Sequence, residues 1–177
     1  MPSNPAALQI RPAERSDIPA LVRCATTSVN ESEDIGFGRP WSERTFTDSG
    51  RLSAEWLEPN RAGTEEIFVG EAEGKVVGYV TVEDRGEALE LNTIEVAGDY
   101  QGRGFGRALV QFVEERARRQ GKRAVTLGTS RNAHGVAWKS FPWWQARGYW
   151  VEGELENDWT RSIGPRVREI RMRKELV

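Results

Sequence analysis

Residues 99–110 read DYQGRGFGRALV, with Gly102, Gly104 and Gly106 alternating with larger residues. No strand or helix runs comfortably through three such glycines, so this stretch must be a turn. Before it, ALELNTIEV alternates apolar and polar residues as a strand does. After it, Phe105, Ala108, Leu109, Phe112 and Val113 fall on one face of a helix that Gly121 closes. A further strand, RAVTLGTS, follows. The centre of the chain is therefore a strand–helix–strand crossover entered through a glycine turn.

Such a turn has a physical use. A helix start presents unpaired backbone N–H groups and a partial positive charge. Glycines let those groups approach phosphate oxygens without a Cβ in the way, and Arg103 and Arg107 add cations. The arrangement suits a pyrophosphate, although a tight structural connection would need the same glycines. The spacing matches neither the Walker loop, which needs a Lys-Ser/Thr pair, nor the G-x-G-x-x-G dinucleotide fingerprint.

Around this centre the chain reads as one mixed α/β (α+β) domain over 1–177, with 1–7 as a flexible tail. LQIRPA is a short strand. SDIPALVRCATTSV is a helix with Pro19 in its first turn. One helix is expected around SERTFTDSGRLSAEWL. EIFVGEAEG and KVVGYVTVED form a hairpin about Glu73-Gly74. Asn132 to Arg147 is expected to be helical and closed by Gly148, and YWVEGELE and RVREIRMRKEL are the last two strands. The predicted order is β-α-α-β-β-β-α-β-α-β-β, a mostly antiparallel sheet flanked by about four helices.

No apolar stretch approaches the roughly 20 residues of a membrane span, and the first residues lack the pattern of a signal peptide. Cys24 is the single cysteine. It cannot form an internal disulfide, so a reducing, cytoplasmic setting is expected, with Cys24 as a small core residue. The net charge of −2 hides an asymmetry: residues 1–96 hold 18 Asp/Glu against 9 Lys/Arg, and residues 97–177 hold 9 against 16. A polyanionic ligand would favour the second half and a cationic one the first. A solvated surface would carry the same charges.

The stretch IEVAGDYQGRGFGRALVQFVEERARRQG resembles the acyl-CoA binding motif of the GNAT N-acetyltransferase superfamily, Q/R-x-x-G-x-G/A, with Gln101, Gly104 and Gly106 at its fixed positions. LQIRPAERSDIPAL resembles that family's opening strand and helix. NAHGVAWKSFPWWQARGYW resembles its later segment, with WWQARGY where FYEKLGF is common. The resemblance spans most of residues 8–173 and implies a GNAT-like fold and an acetyl-CoA-dependent N-acetyltransferase. Its acceptor would be a primary amine of a small metabolite, an antibiotic-like molecule, a peptide N-terminus or a lysine. The alternative is a GNAT-fold sensor or scaffold that binds acyl-CoA without turnover. The resemblance implies acetyl-CoA as cosubstrate, no metal, no nucleic-acid or membrane partner, and a possible homodimer, with the last strand as an edge that pairs across subunits.

Residue by residue, the resemblance implies that pantetheine pairs with the backbone of Ile94, Glu95 and Val96 in a gap beside their strand. It implies the Val96 N–H as oxyanion donor. The pyrophosphate would meet the N–H groups of Gln101, Gly102, Arg103, Gly104, Phe105 and Gly106, with Arg107 nearby, and Asn132 would contact the cofactor farther along. Glu90, eleven residues before Gln101, has the spacing of a catalytic glutamate in one branch of the family and is the first candidate base. Simple alternation groups Glu90 with Asn92 and Ile94, and Glu95, the second candidate base, with Leu91 and Thr93. Trp144 stands at the usual tyrosine acid. Its indole can donate a hydrogen bond or wall a pocket, but cannot give up a proton at useful pH. Pro142 makes the helix around it short or broken, which shifts that alignment.

Five of the seven tryptophans lie in 138–159. They fit either core and dimer packing or an aromatic acceptor pocket. His134, the lone histidine, suits a loop role. The acidic residues of 31–66 are either a solvated loop or an attractor for an amine.

Overall fold

A computed structural model describes residues 8–28 and 65–177. The predicted tail at 1–7, the helix around 42–57 and most of the acidic segment lie outside the described residues. The chain opens with β1 (Gln9–Pro12) and α1 (Ile18–Ser28). Next come β2 (Glu66–Ala72), β3 (Lys75–Arg85) and β4 (Ala88–Val96). After the glycine turn follow α2 (Phe105–Arg119), β5 (Ala124–Arg131), α3 (Ser140–Gln145), β6 (Trp150–Leu155), α4 (Asp158–Ile163) and β7 (Arg168–Glu175).

The seven strands form one sheet in the order β1-β2-β3-β4-β5-β7-β6. Only β4 and β5 run parallel. Parallel neighbours need a crossover, and α2 supplies it. One face of α2 carries Leu109, Val110, Val113 and Ala117. These pack on Val80, Val82, Leu89, Leu91, Val125, Leu127, Ile170 and Met172 in the main core. On the other face of the sheet, Leu21, Cys24 and Ala25 of α1 pack on Ile67, Val69, Val76 and Tyr79. Cys24 is a buried core residue, and burial pushes its thiol up to about 11.

Three departures from the expected pattern matter. First, β4 carries a bulge. Thr81 faces Thr93, but Val82 faces Leu91, so Asn92 is an extra residue. Alternation resets there. Leu89 and Leu91, and then Ile94 and Val96, all turn toward α2. Glu90 and Glu95 therefore share the opposite face, against the grouping of Glu90 with Ile94.

Second, the helix expected over 132–147 is cut down to Ser140–Gln145. The Asn132 carboxamide oxygen accepts the N–H groups of His134 and Val136 at 3.0 Å each, which holds residues 132–136 in a turn. Ala137 then bridges back to Arg131. Third, β7 is paired on both sides, to β5 and to β6. It is not an edge strand, so it cannot be the intersubunit edge that the sequence suggested. The short α4 between the last strands was not foreseen. A reciprocal cap starts it: Asn157 accepts from Thr160 N, and Thr160 accepts from Asn157 N, at 2.9 Å each.

Candidate active site

The parallel pairing of β4 with β5 extends only from Ala88–Leu91 to Ala124–Leu127. Beyond it β4 runs to Val96 while β5 pairs with β7 as far as Arg131, so the two strands part. The bulge at Asn92 sits where they diverge. On the β3 side, the Ala97 N–H donates to Val77 O at 2.9 Å. Antiparallel pairs alternate, so the N–H and C=O groups of Ile94 and Val96 turn away from β3 and into the gap. A cleft edged by backbone groups turned away from their own sheet neighbour is a place for an extended ligand to add as a strand.

At the end of β4 the chain turns through Gly98–Tyr100 into the glycines. Gly102 (φ 76°) and Gly104 (φ 86°) take left-handed conformations. The first helical bond of α2 runs from Ala108 N to Gly104 O at 3.1 Å. The N–H groups of Phe105, Gly106 and Arg107 therefore precede the ladder, and Gly104, at the N-cap position, caps none of them. They leave the start of a 15-residue helix with the kind of open N–H groups that can receive an anion.

Gln101 has a different job from the one expected. Its own N–H is already given to Gly98 O at 3.3 Å. Its Nε2 bridges Val96 O at 3.0 Å and Ser28 O at 3.2 Å, tying the end of β4 to the end of α1. Arg103 is held over the turn, donating to Asp99 O at 3.1 Å and lying 4.8 Å from the Tyr100 ring centroid. Arg107 is exposed.

Glu90 also has a different job. It is buried at 6% exposure, and both its oxygens are engaged. Arg171 Nη1 donates to Oε1 at 2.7 Å and Arg171 Nη2 to Oε2 at 2.6 Å, while Thr126 Oγ1 also donates to Oε2. Arg171 pairs further with Glu169 at 2.9 Å. Burial opposes the charge on Arg171, but these bonds outweigh it and raise its pKa. Glu90 is thus a buried brace joining β4, β5 and β7.

Glu95 is the carboxylate at the gap. It is half-buried, and Ser28 Oγ donates to its Oε2. Burial raises its pKa to about 7, and the Ser28 bond opposes that rise only in part. Its backbone neighbour is Val96, whose N–H enters the cleft. A proton acceptor poised near neutrality thus sits beside a backbone donor.

The indole at the gap is Trp143 rather than Trp144. Trp144 is buried at 4% exposure, edge-on to Tyr149 with ring centroids 5.2 Å apart. Its ring is thus nearly covered by its neighbours rather than exposed as the wall of an open pocket. In the six-residue α3 its predecessor Trp143 packs edge-on against it, with ring centroids 4.7 Å apart, and is itself half-buried. A Cβ on Gly106 would lie 3.6 Å from Trp143 Cζ2 and 3.9 Å from Val96 Cγ2, so the indole edge abuts the helix start and the cleft. Tyr149 donates a hydrogen bond to Glu114 at 3.2 Å, and burial with the Glu114 charge raises its pKa. Asn132 is buried and occupied with its own turn. No described helix is long and apolar enough to cross a membrane.

Comparison with known proteins agrees with this geometry. Residues 27–141 match the model of the acetyltransferase (GNAT) family. The chain is 30% identical over 135 residues to the L-methionine sulfoximine/L-methionine sulfone acetyltransferase of Salmonella typhimurium, covering 73% of this chain and 75% of that protein. It is 28% identical over 126 residues to the L-amino acid N-acyltransferase MnaT of Escherichia coli, covering 68% and 69%. Its fold is shared by the PaiA N-acetyltransferase of Thermoplasma acidophilum solved with coenzyme A, at a TM-score of 0.70, 16% identity, and 96% and 99% coverage. From the splayed strands, the glycine-started helix and these likenesses together, the chain is a member of the GNAT acetyltransferase family.

Proposed function

We propose that this protein is an acetyl-CoA-dependent N-acetyltransferase whose acceptor is the α-amino group of a free amino acid or a close analogue. The residues fit the coenzyme. The N–H groups of Phe105, Gly106 and Arg107 suit the pyrophosphate, and the inward-facing backbone of Ile94 and Val96 suits the pantetheine amides. When bound, the thioester supplies an acyl carbon open to attack.

The observation that carries the reading is Glu95 beside Val96. Glu95 Oε2 is held by Ser28, which leaves Oε1 to take a proton from the incoming ammonium. The freed amine nitrogen bonds to the acyl carbon, and the Val96 N–H donates to the carbonyl oxygen as negative charge gathers there. The carbon–sulfur bond then breaks, and the nitrogen gives up its second proton to water to leave the neutral amide. Thiols have a reference pKa of about 8.5, so the sulfur can leave as thiolate and take its proton from water. Trp143 shields the cleft from the α2 side.

Acidity favours an α-amine. Moving a proton from an amine with pKa about 8 to a base near 7 is uphill by about 1.4 kcal/mol. From a lysine side chain at about 10.4 the cost is about 4.6 kcal/mol. Both curated relatives are also named for amino acids or their analogues. The test is thiol release from acetyl-CoA across a panel of amines. Free amino acids and methionine sulfone should react, and their Nα-blocked forms should not. Release with lysine side chains alone would overturn the acceptor assignment. Release with no amine, despite tight coenzyme binding, would favour the binding-only alternative.

The glycine turn offers a second check. A Cβ on Gly104 would meet nothing, so the cost of Gly104→Ala comes from its φ of 86°. That cost is about 1–2 kcal/mol, and the turn relieves it by moving. Acetyl-CoA binding, measured by calorimetry, should weaken at least tenfold while the melting temperature falls by only a few degrees.

A further inference from the structure

Arg147 follows α3, and its guanidinium lies flat on Trp143, with the carbon 3.3 Å from the ring centroid. Nη1 donates to Trp143 O at 2.8 Å. Nε is buried and has no hydrogen-bond partner. No carboxylate among the described residues pairs with this cation. Its charged neighbour is another cation, Arg107, in the first turn of α2. Burial first, and then the Arg107 charge, lower the pKa of Arg147.

Arg147 stacks on a ring whose edge abuts Gly106, the residue before Arg107, and a partly desolvated guanidinium near a second one is a repulsive arrangement. It is held in place by stacking and by one backbone bond rather than by an anion of the protein. The Trp143 ring that carries it abuts Gly106 and Val96, where the unpaired N–H groups of α2 begin. The geometry points to Arg147 and Arg107 as a cation pair that clasps a phosphate group of the coenzyme, with Trp143 as the platform that fixes the Arg147 fork. This rests on the acetyl-CoA reading above. It adds a side-chain clamp from the segment after β5 to a site otherwise made of backbone.

The stacked, planar fork suits a phosphate in two-point contact. In the absence of the coenzyme the pair repels. With a phosphate between them, both charges are compensated and α3 is drawn toward the start of α2. Coenzyme binding should therefore quench or shift the fluorescence of Trp143.

The test is calorimetric binding of acetyl-CoA to the wild type, Arg147→Leu and Arg147→Lys, at low and high salt. Arg147→Leu should weaken binding at least tenfold at low salt and flatten its salt dependence. Arg147→Lys, which keeps the charge but not the fork, should recover only part of the loss and keep the salt dependence. A leucine variant that binds within twofold of wild type overturns the clamp. So does a lysine variant as weak as leucine with an unchanged salt dependence, since Arg147 would then only support Trp143. Repeating the series with dephospho-acetyl-CoA identifies the phosphate: a penalty that persists assigns the pyrophosphate, and one that disappears assigns the 3′-phosphate. A wild type that does not bind acetyl-CoA would instead refute the functional reading. Unchanged circular dichroism of the variants separates lost contact from lost fold.

Discussion

Replacing Glu95 with glutamine should lower kcat by about 10²- to 10⁴-fold, the usual contribution of a positioned base. Acetyl-CoA affinity should stay within about twofold, because the cofactor would meet the backbone of Ile94 and Val96 and not the Glu95 side chain. The pH profile is the sharper readout. In wild type, kcat should rise with pH and level off above about 7, as the Glu95 carboxyl ionises. In the glutamine variant that limb should vanish, leaving only the slow gain that follows the amine's own ionisation near about 8. A variant that keeps both its rate and the limb near 7 would remove Glu95 from the mechanism.

The same residue should leave a mark on stability. Burial raises the folded-state pKa of Glu95 to about 7, above its value in an unfolded chain. Between the two values the folded state holds the proton more tightly than the unfolded one. Stability therefore falls as pH rises through that window. Glu95→Gln should be more stable than wild type at pH 8 and no different at pH 4, as thermal melts at the two values would show. An activity lost together with a stability gained is the signature of a group kept for its chemistry.

How much of this was legible in the sequence depends on how local the cause is. The glycine turn, α2 and the hairpin at Glu73-Gly74 follow from residues that act on their own neighbourhood, and they stand where the spacing put them. The bulge at Asn92 does not act that way. It is one residue too many in β4 relative to β3, and no Gly or Pro marks it. Yet it reverses the relation between the two glutamates. Strict alternation makes Glu90 a partner of Ile94, whereas the bulge puts Glu90 on the face of Glu95, and the strand order β4-β5-β7 puts it within reach of Arg171, 81 residues away. Strand order is nonlocal in the same sense. Nothing within VREIRMRK shows that β6 will cover its far side. The choice between Trp143 and Trp144 turned on the length of α3, which the Asn132 turn and Pro142 shorten. The start of α4 was readable, since Asn157 and Thr160 have capping spacing, but a six-residue helix leaves little periodicity to confirm it.

Glu90 then gives the complementary expectation. Glu90→Gln should lower stability by about 3 kcal/mol, near the low end for breaking a buried ion pair, because Arg171 keeps Glu169 at 2.9 Å. For a chain of this size that is a fall in Tm of roughly 6–12 °C. Below the melting range kcat should stay within a few-fold of wild type and keep its limb near pH 7. Glu90→Leu combined with Arg171→Leu should be less destabilised than the sum of the two single changes, because neither charge is left buried alone. The opposite pattern, an unchanged Tm with kcat lost, would return the base to Glu90. Two glutamates five residues apart on one face of one strand are thus told apart by what surrounds them. The one gripped at both oxygens by Arg171 and Thr126 holds β4, β5 and β7 together below the point where β4 and β5 part. The one beyond that point, bonded among the described residues to Ser28, is the proposed proton acceptor.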